Sequence, residues 1–238
     1  MNYGLPYMGS KNKIAEWVLS YLPKADNLYD LFCGGCAITH CAMIQGKYKN
    51  HIINDIKGIM PQLFVDCLNG KYKDEKRWIS REEFFMLKDT DGYVHTCFSF
   101  GNKGQTYLYG EKHEEIKKAM HYALCFEDFS LLNTFGIDAR CILDFPKQKR
   151  YASLKNIVKG YIGRCDLQNI EELNRLQNIE ALARLQNIDA KGNILNFNKS
   201  YDEIDIKPIL SSIAIFLIKI QELTMKMRSI TTSFMIGY

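Results

Sequence analysis

The segment Asp30-Leu31-Phe32-Cys33-Gly34-Gly35-Cys36 decides the fold, because an apolar run ends there in two consecutive glycines. The apolar residues 28–32 predict a short strand, and the glycines allow a tight turn. A helix is predicted over residues 36–44, and a second strand over residues 51–54 that ends at Asp55. A strand, a glycine turn, a helix and a strand in this order predict the start of a doubly wound α/β domain.

The residues before this segment predict an amphipathic helix that Ser10 caps and Pro23 ends. Apolar side chains recur at helical spacing, which predicts that they lie on one face of this helix. These side chains are Ile14, Trp17, Val18, Tyr21 and Leu22.

Composition indicates a globular chain of 238 residues, with 24% charged and 47% hydrophobic residues. The net charge of +4 permits a polyanionic partner but does not require one. No basic, apolar leader opens the sequence, and the longest apolar run, residues 209–218, is about half the length that crosses a bilayer. The sequence therefore predicts a cytoplasmic protein without a membrane segment.

Three short segments carry the groups of a ligand site: Tyr7-Met8-Gly9-Ser10-Lys11, the turn at residues 30–36, and Asp55. The glycines let a ligand approach bare backbone, and the helix N-terminus that follows favours an anionic group. Asp55 ends the second strand, where a carboxylate can accept hydrogen bonds from ribose hydroxyls. Lys11 can pair with a ligand carboxylate. A plain structural turn is the alternative for the glycines alone, and the three segments together favour a site.

The same three segments resemble the N-terminal motifs of the Dam-like (D12 class) DNA adenine N6-methyltransferases, although Cys36 stands where many relatives have a third glycine. Residues 99–110 resemble an aromatic, glycine-containing loop of some relatives. The resemblance implies transfer of a methyl group from S-adenosylmethionine (SAM) to adenine N6 in double-stranded DNA. It also implies that SAM is bound by Tyr7, Lys11, Asp30, Phe32, Gly34, Gly35 and Asp55.

The implied architecture is a Rossmann-like, α/β, SAM-dependent methyltransferase domain with an incomplete sheet and an inserted, mainly helical domain. Residues 1–58 form the first part of the methyltransferase domain in this interpretation. Residues 59–189, with helices predicted at 81–87 and 113–124, form a target-recognition insert that contacts DNA. Residues 190–238 return to the first domain.

A basic segment within the insert supports a DNA partner. Residues 147–164 hold six basic residues and no acid, with Tyr151 and Tyr161 between them, as a phosphate-contacting surface requires. A solvated basic face is the alternative. The predicted DNA contacts are Lys147, Lys149, Arg150, Lys155, Lys159 and Arg164.

A nine-residue repeat, LQNIEELNR followed by LQNIEALAR and LQNI, occupies residues 167–188 and predicts one continuous helix. One interpretation is a solvated helix with a single apolar stripe. The other is an arm for dimerisation or for spanning DNA.

A zinc site is a rival interpretation of Cys33, Cys36, His40 and Cys41, whose spacing suits the metal. The sequence has no second cysteine pair at zinc-ribbon spacing, and the first two cysteines flank the glycine turn. We therefore predict packed thiols and no metal.

The resemblance also implies an Asp/Asn-Pro-Pro-Tyr tetrapeptide beyond Ser200, which accepts hydrogen bonds from the adenine amino group and stacks on the base. No such tetrapeptide occurs in the sequence. No catalytic residue is therefore assigned, and the chain is predicted to be inactive. A catalytically dead DNA-binding protein and a SAM-dependent RNA methyltransferase are the alternatives.

The C-terminal residues 209–238 contain no Asp, Asn or Pro. Codons can be chosen for them so that the frame offset by two bases reads SIIYCDIPYKNTRTYNENEEYNNEFYDWL. That reading has an apolar strand followed by Asp-Ile-Pro-Tyr, the order that the family resemblance implies at this point. We therefore predict a truncating frame change in the gene near residues 208–209.

Overall fold

The computed structural model describes residues 2–162, 169–185, 192–200 and 203–204. The chain divides into two compact units. Unit 1 comprises Met1–Asn69 and Leu185–Tyr238, and unit 2 comprises Gly70–Arg184. The sequence-based boundaries fell after residues 58 and 189, whereas the units divide after Asn69 and Arg184.

The described part of the chain is mainly helical, with short strands in unit 1. The helices are α1 (Ala15–Tyr21), α2 (Ala37–Gln45), α3 (Ile59–Leu68), α4 (Arg81–Leu87), α5 (Gly92–Cys97), α6 (Glu114–Cys125), α7 (Ser130–Thr134), α8 (Lys147–Ile162) and α9 (Asn169–Leu185). The strands are β1 (Asn27–Asp30), β2 (Asn50–Asn54) and β3 (Asn193–Phe197). None of the described helices is both long and apolar enough to cross a membrane.

The strands of the described residues form one parallel sheet in the order β1-β2-β3. Asp30 of β1 lies opposite Ile53 of β2, and Ile53 lies opposite Asn196 of β3. Along the chain, α3 and the whole of unit 2 separate β2 from β3. Parallel strands need such a long crossover. The carboxyl ends of β1 and β2 therefore lie side by side.

The local predictions around the glycine turn are confirmed to within two residues at each end. The first predicted strand, 28–32, is β1, and the second, 51–54, is β2. The helix predicted over 36–44 is α2, and the helix predicted over 81–87 has the observed bounds of α4. Ser80 and Glu83 close a capping box at the start of α4, which explains why its first residue was predictable.

The predicted apolar face of α1 coincides only in part with the buried one, since Val18 is buried and Leu22 packs against the core. Ala15, Val18 and Leu19 are its buried residues, whereas Trp17 is 39% and Tyr21 is 68% exposed. The stripe of α1 that packs in the core of unit 1 is therefore rotated about the helix axis, by about one residue, from the predicted stripe. The predicted cap was also wrong, because Ser10 Oγ accepts a hydrogen bond from Asn12 N–H (3.3 Å) in a 3₁₀ turn before α1.

The core of unit 1 joins α1, α2 and β1 beneath the glycine turn. Its buried residues are Tyr3, Ala15, Val18, Leu19, Leu28, Ala37, Ile38, Cys41, Ala42 and Tyr48. This packing fixes the start of α2 relative to the end of β1, which is where the candidate site lies.

Unit 2 has its own core between α6, α7 and α8. Its buried residues are Ile116, Ala119, Met120, Ala123, Phe129, Leu132, Ile137, Ala139, Ile142, Leu154 and Val158. A second buried region of unit 2 is aromatic, with Trp78 stacked on Tyr109 at a centroid distance of 5.2 Å.

Helix α9 carries the nine-residue repeat, and the predicted continuous helix is confirmed over Asn169–Leu185. Nine residues span about 2.5 helical turns, so equivalent positions of successive copies lie on opposite sides. Arg175 of the first copy is 0% exposed, whereas Arg184 of the second copy is exposed. Asn178 is buried too and donates to Thr96 O (3.2 Å). The described part of α9 thus has one buried stripe and one solvated face, but the stripe contains Arg175 and Asn178 besides Leu182 and Leu185 and is not the purely apolar stripe that was predicted.

Several predictions concern residues outside the described ranges. The proposed frame change near residues 208–209, the tail that follows it and the predicted DNA contact Arg164 belong to this group.

Candidate functional site

The glycine turn joins the carboxyl end of β1 to the start of α2. Cys33 N–H donates to Asn54 O at the end of β2 (3.0 Å), and Cys36 N–H donates to Cys33 O (2.7 Å). Gly34 has φ +48°, which glycine adopts without strain. The turn is thus closed on itself and hydrogen-bonded to the end of β2, and both of its glycines are buried.

Asp55 ties the end of β2 to this turn. One carboxylate oxygen accepts from Gly34 N–H (3.0 Å), and the other accepts from Lys57 N–H (3.1 Å). Burial and the nearby Asp55 charge raise the pKa of the Tyr7 phenol. The structure therefore brings Tyr7, Gly34 and Asp55 together at the carboxyl edge of the sheet.

The Tyr7 side chain packs directly on the two glycines. A Cβ atom at Gly34 would lie 2.9 Å from Tyr7 Cε1, and one at Gly35 would lie 2.8 Å from Tyr7 Cβ. Both distances are shorter than real contacts allow, so the Tyr7 position requires glycine at both places.

Asp30 is buried rather than open to a ligand, since it is 5% exposed. Its carboxylate accepts hydrogen bonds from Thr39 Oγ1 (2.8 Å) and from the Thr39 backbone N–H. Burial raises the pKa of Asp30 to about 6. The N-cap residue of α2, Cys36, supplies no side-chain cap. Asp30 therefore satisfies a donor in the first turn of α2 that would otherwise lack a partner.

The two other predicted SAM-site residues lie at the surface. Lys11 Nζ donates to Gly9 O within its own loop (3.0 Å), and Phe32 is 54% exposed just beyond β1. Ile56, which follows Asp55, is 77% exposed. Sequence reasoning missed Ile56, although an apolar residue directly after the acidic strand end was a visible signal.

The segment Tyr3-Gly4-Leu5 is a second feature that sequence reasoning missed. Leu5 N–H donates to Gly35 O (2.7 Å), and Gly4 N–H donates to His40 Nδ1 (2.8 Å). Gly4 has φ +70°, and a Cβ there would lie 2.7 Å from the backbone nitrogen of Ala37. Burial lowers the pKa of His40 to about 4, so the ring is a neutral acceptor. These two hydrogen bonds hold the glycine turn and α2 against residues 3–5, and this segment is called the Gly4 clamp below.

Asn54, also missed, links the sheet to the chain after β3. Its amide donates to Leu31 O and Lys199 O (3.1 Å each), and its oxygen accepts from Lys199 N–H (3.1 Å). These partners are 23 and 145 residues away along the chain, so no local pattern reveals them.

The cysteines of the rival zinc interpretation are packed. Cys33 is 8% exposed, and Cys36 and Cys41 are 0% exposed. Burial raises the pKa of Cys36, which favours the neutral thiol. Within the described ranges, no group of three or more His, Cys, Asp and Glu residues is placed to hold a metal ion.

The predicted DNA contacts of α8 occupy different environments. Lys147 and Lys149 are exposed, and Lys155 and Lys159 are partly buried. Arg150 donates to Glu127 Oε1 (2.7 Å) and to the carbonyls of residues 143 and 145. Because these contacts occupy its guanidinium group, Arg150 has a structural task within unit 2.

The aromatic loop of unit 2 is braced by hydrogen bonds. Phe100 N–H donates to Thr106 O (3.0 Å), and Leu108 N–H donates to Phe98 O (2.9 Å). Gly104 N–H donates to Ser99 Oγ (3.0 Å). The loop holds the Phe100 ring 57% exposed.

A small parallel sheet with a glycine turn and an acidic strand end is consistent with a methyltransferase fold. A model of the D12 class N6 adenine-specific DNA methyltransferase family matches residues 7–207. The match covers well over half of the 238 residues, and the chain belongs to this family. No individual curated protein matches the sequence.

Proposed function

We propose that the gene encodes a SAM-dependent enzyme that methylates adenine N6 at specific sites in double-stranded DNA, and that unit 1 binds SAM. The observation that carries the proposal is the meeting of Tyr7, the glycine turn and Asp55 in a chain of this family.

The residues at this edge fit the chemistry of SAM. The Asp55 carboxylate suits ribose hydroxyls, and the exposed Phe32 and Ile56 side chains suit the faces of an adenine ring. The N-terminus of α2, with Lys11, suits the methionine carboxylate. SAM supplies the methyl group when it is bound, and the chain binds and orients it.

In this proposal Asp30 is a positioning residue and does not touch the ligand. By accepting from Thr39 it fixes the first turn of α2, whose N–H groups are the proposed donors to the ligand carboxylate. The Gly4 clamp holds the other side of the turn through Gly35 O and His40.

Unit 2 is proposed as the target-recognition domain. Its support is the basic helix α8, together with the braced loop in which Phe100 and Lys103 are both exposed. Lysines contact phosphates, and an exposed aromatic ring can stack on an unpaired base.

The chain itself is proposed to lack methyltransferase activity. Methyl transfer to adenine N6 forms a carbon–nitrogen bond, breaks the methyl–sulfur bond of SAM to leave a neutral thioether, and releases an N6 proton. The sequence contains no Asp/Asn-Pro-Pro-Tyr to accept hydrogen bonds from that amino group. The family match ends at residue 207, just before the proposed frame change at residues 208–209, which supports the proposal.

SAM binding is tested by calorimetry on the full chain and on Asp55→Ala. We expect Asp55→Ala to weaken SAM binding by about 10- to 100-fold, the effect of losing charge-assisted hydrogen bonds. Asp26→Ala is the matched control, because Asp26 is an exposed acid of unit 1 that pairs with Lys49. Equal affinities for the two variants would refute the site.

Catalysis is tested by transfer of a tritiated methyl group to unmethylated duplex DNA and, in parallel, to RNA. We expect no transfer by the chain and transfer to DNA once the frame is restored. Turnover by the unrestored chain would contradict the proposed inactivity, and transfer to RNA alone would favour an RNA methyltransferase. Gene sequencing that finds no Asp-Ile-Pro-Tyr in the offset frame would exclude the frame change.

The missing tetrapeptide also favours a second candidate, a DNA-binding protein without catalysis. A gel shift at two salt concentrations tests it. Salt-sensitive DNA binding, combined with no methyl transfer after the frame is restored, would support this candidate over the first.

A further inference from the structure

Helix α6 of unit 2 carries a thiol and an imidazole on adjacent turns. Cys125 ends the helix, and its Sγ lies 3.6 Å from Nδ1 of His121. Residues four apart lie on the same face of a helix, which explains the contact. The His121 side chain is buried, whereas Cys125 is only partly buried. The imidazole is therefore held inside unit 2, and the sulfur can be reached from solvent.

The second nitrogen of His121 determines the direction of this hydrogen bond. Nε2 lies 2.7 Å from the carbonyl oxygen of Lys76. A carbonyl oxygen only accepts, so Nε2 carries a hydrogen, and Nδ1 of the neutral ring is an acceptor. The Cys125 thiol therefore donates to Nδ1. A base in contact with a nucleophile, and itself oriented by a third group, is the arrangement that activates nucleophiles in proteins.

The surroundings of the pair suit its ionised form. Transfer of the thiol proton to Nδ1 gives a thiolate and an imidazolium, and both N–H groups of the imidazolium keep their acceptors. The Trp78 ring centroid lies 5.4 Å from that of His121, a distance at which an indole ring attracts a cation. Cys125 ends α6, and a helix C-terminus disfavours an anion, but a hydrogen bond from a charged donor is the stronger effect.

Charged and titratable groups near the pair do not oppose a thiolate. Tyr93 of α5 is near enough to interact with Cys125, and burial raises the pKa of its phenol, so the phenol stays neutral. Arg175 of α9, whose guanidinium carbon lies 6.0 Å from the centroid of Trp78, is a cation. Glu127 follows Cys125 closely in the sequence, and its carboxylate pairs with Arg150.

The other cysteines that the structure describes provide a contrast. Cys141 is exposed, and the remaining ones (Cys33, Cys36, Cys41, Cys67 and Cys97) are buried. Buried cysteines are inert, whereas reactive ones combine partial exposure with a neighbouring base or cation. Cys125 meets both conditions of a reactive thiol.

We propose that Cys125 is a modification site, activated by His121, and that the reagent it takes is a small hydroperoxide. The thiolate sulfur attacks one peroxide oxygen, so a sulfur–oxygen bond forms as the oxygen–oxygen bond breaks. Cys125 is oxidised to a sulfenic acid. The hydroperoxide is reduced to an alcohol, or to water when it is hydrogen peroxide, as its leaving oxygen takes the proton that His121 held. Partial burial of the sulfur favours a small reagent, and the site is independent of the proposed function.

Activation is tested by alkylation of the full chain with iodoacetamide, followed for each cysteine by peptide mass spectrometry. The thiolate fraction of an ordinary thiol rises about tenfold per pH unit between about pH 6 and about pH 8, and we expect this slope at Cys141. At Cys125 we expect the rate to rise less than about threefold per pH unit, because its proton has already moved to His121. Equal slopes at the two cysteines would overturn the activation.

His121→Gln removes the base and keeps a group that can donate to Lys76 O. We expect it to lower the alkylation rate of Cys125 at about pH 6 by about tenfold and to restore the steep slope. His113→Gln, at the N-cap of α6, is the matched control and should leave Cys125 unchanged. Protection of the buried Cys67 and Cys97 reports that each variant is folded. If they react in His121→Gln, the wild-type slopes decide.

The choice of reagent is tested with hydrogen peroxide and dimedone, which traps sulfenic acids. We expect a dimedone adduct at Cys125 well before one at Cys141, and loss of this preference in His121→Gln. Rapid alkylation of Cys125 without a dimedone adduct would overturn the hydroperoxide as its reagent. An adduct that forms equally fast at Cys141, or in His121→Gln, would overturn the role of His121.

Discussion

Asp30 of unit 1 and Arg175 of unit 2 are both buried ionisable residues, and their surroundings stabilise them in different ways. In unit 1, Asp30 lies under the first turn of α2 and accepts hydrogen bonds from Thr39. In unit 2, Arg175 of α9 is 0% exposed, with its guanidinium carbon 5.3 Å from the centroid of Phe98 and 6.0 Å from that of Trp78. Backbone and hydroxyl donors stabilise the first charge, and aromatic faces stabilise the second.

The chemistry of the buried carboxyl or guanidinium group determines how the protein can stabilise it. A carboxyl group can take up a proton when it is buried, and the pKa of Asp30 is raised to about 6. A guanidinium group keeps its charge at any pH that a protein survives. The Asp30 region is therefore sensitive to pH, and the Arg175 region depends on the shape of its aromatic surroundings.

The largest expected effect is that of Arg175→Ala. It removes the cation beside the two rings and leaves a cavity, so we expect unit 2 to lose about 3 kcal/mol of unfolding free energy. Trp17 lies in unit 1 and Trp78 in unit 2. Urea unfolding followed by fluorescence in a Trp17→Phe background therefore reports on unit 2.

The second copy of the repeat offers the control for this prediction. Arg184 is the equivalent residue and is exposed, so we expect Arg184→Ala to change stability by less than about 0.5 kcal/mol. Equal losses from the two substitutions would show that the rings contribute nothing to holding Arg175.

An intermediate effect is expected from Gly4→Ala, which tests the clamp beside Asp30. Gly4 and Gly9 both have positive φ, but a Cβ at Gly9 meets nothing within 4 Å. We expect Gly9→Ala to cost about 1 kcal/mol of backbone strain, and Gly4→Ala, which adds a clash, to cost about 2 kcal/mol. Urea unfolding measures both. Because the clash displaces the glycine turn, Gly4→Ala should also weaken SAM binding in calorimetry.

The smallest effect is the pH dependence of Asp30. Its folded pKa of about 6 lies above 3.8, the ordinary pKa of an aspartate, so the folded state binds more protons between these values. The contribution of Asp30 to stability therefore rises as pH falls, by about 1 kcal/mol from about pH 7 to about pH 5, and is lost as pH rises. Asp30→Asn lacks this contribution.

The measurement is the difference in unfolding free energy between the wild type and Asp30→Asn at each pH. His40, whose pKa is lowered to about 4, destabilises the fold as pH falls, but it is present in both proteins and cancels. A difference that stays flat between these pH values would mean that Asp30 is not protonated in the folded state.

The elements that the sequence predicted well are those with local causes. The glycine turn, β1, α2 and β2 follow one another within residues 27–54, and each is marked by its own residues. Helix α4 has a capping box that defines its start. For the same reason Tyr7, Gly34, Gly35 and Asp55 could be selected for the candidate site before their contacts were known.

The features that the sequence did not predict depend on distant partners. Strand β3 pairs with β2 although the residues of unit 2 lie between them in the sequence. The burial of Arg175 depends on Trp78 and Phe98, which are also distant in the sequence. On α1, two stripes were apolar enough to be buried, and packing against α2 and β1 selected the one with Ala15. No pattern within one helix distinguishes such stripes.

The repeat in α9 has a consequence for how the length of this helix can change in the gene. One copy is a whole number of codons, so its gain or loss keeps the reading frame. The gain or loss of one copy nevertheless rotates the following residues by half a turn about the helix axis. The face that buries Arg175 and the face that exposes Arg184 are then exchanged. Two copies make about five complete turns and restore the orientation. Copy-number variants that keep the native packing should therefore differ by pairs of repeats.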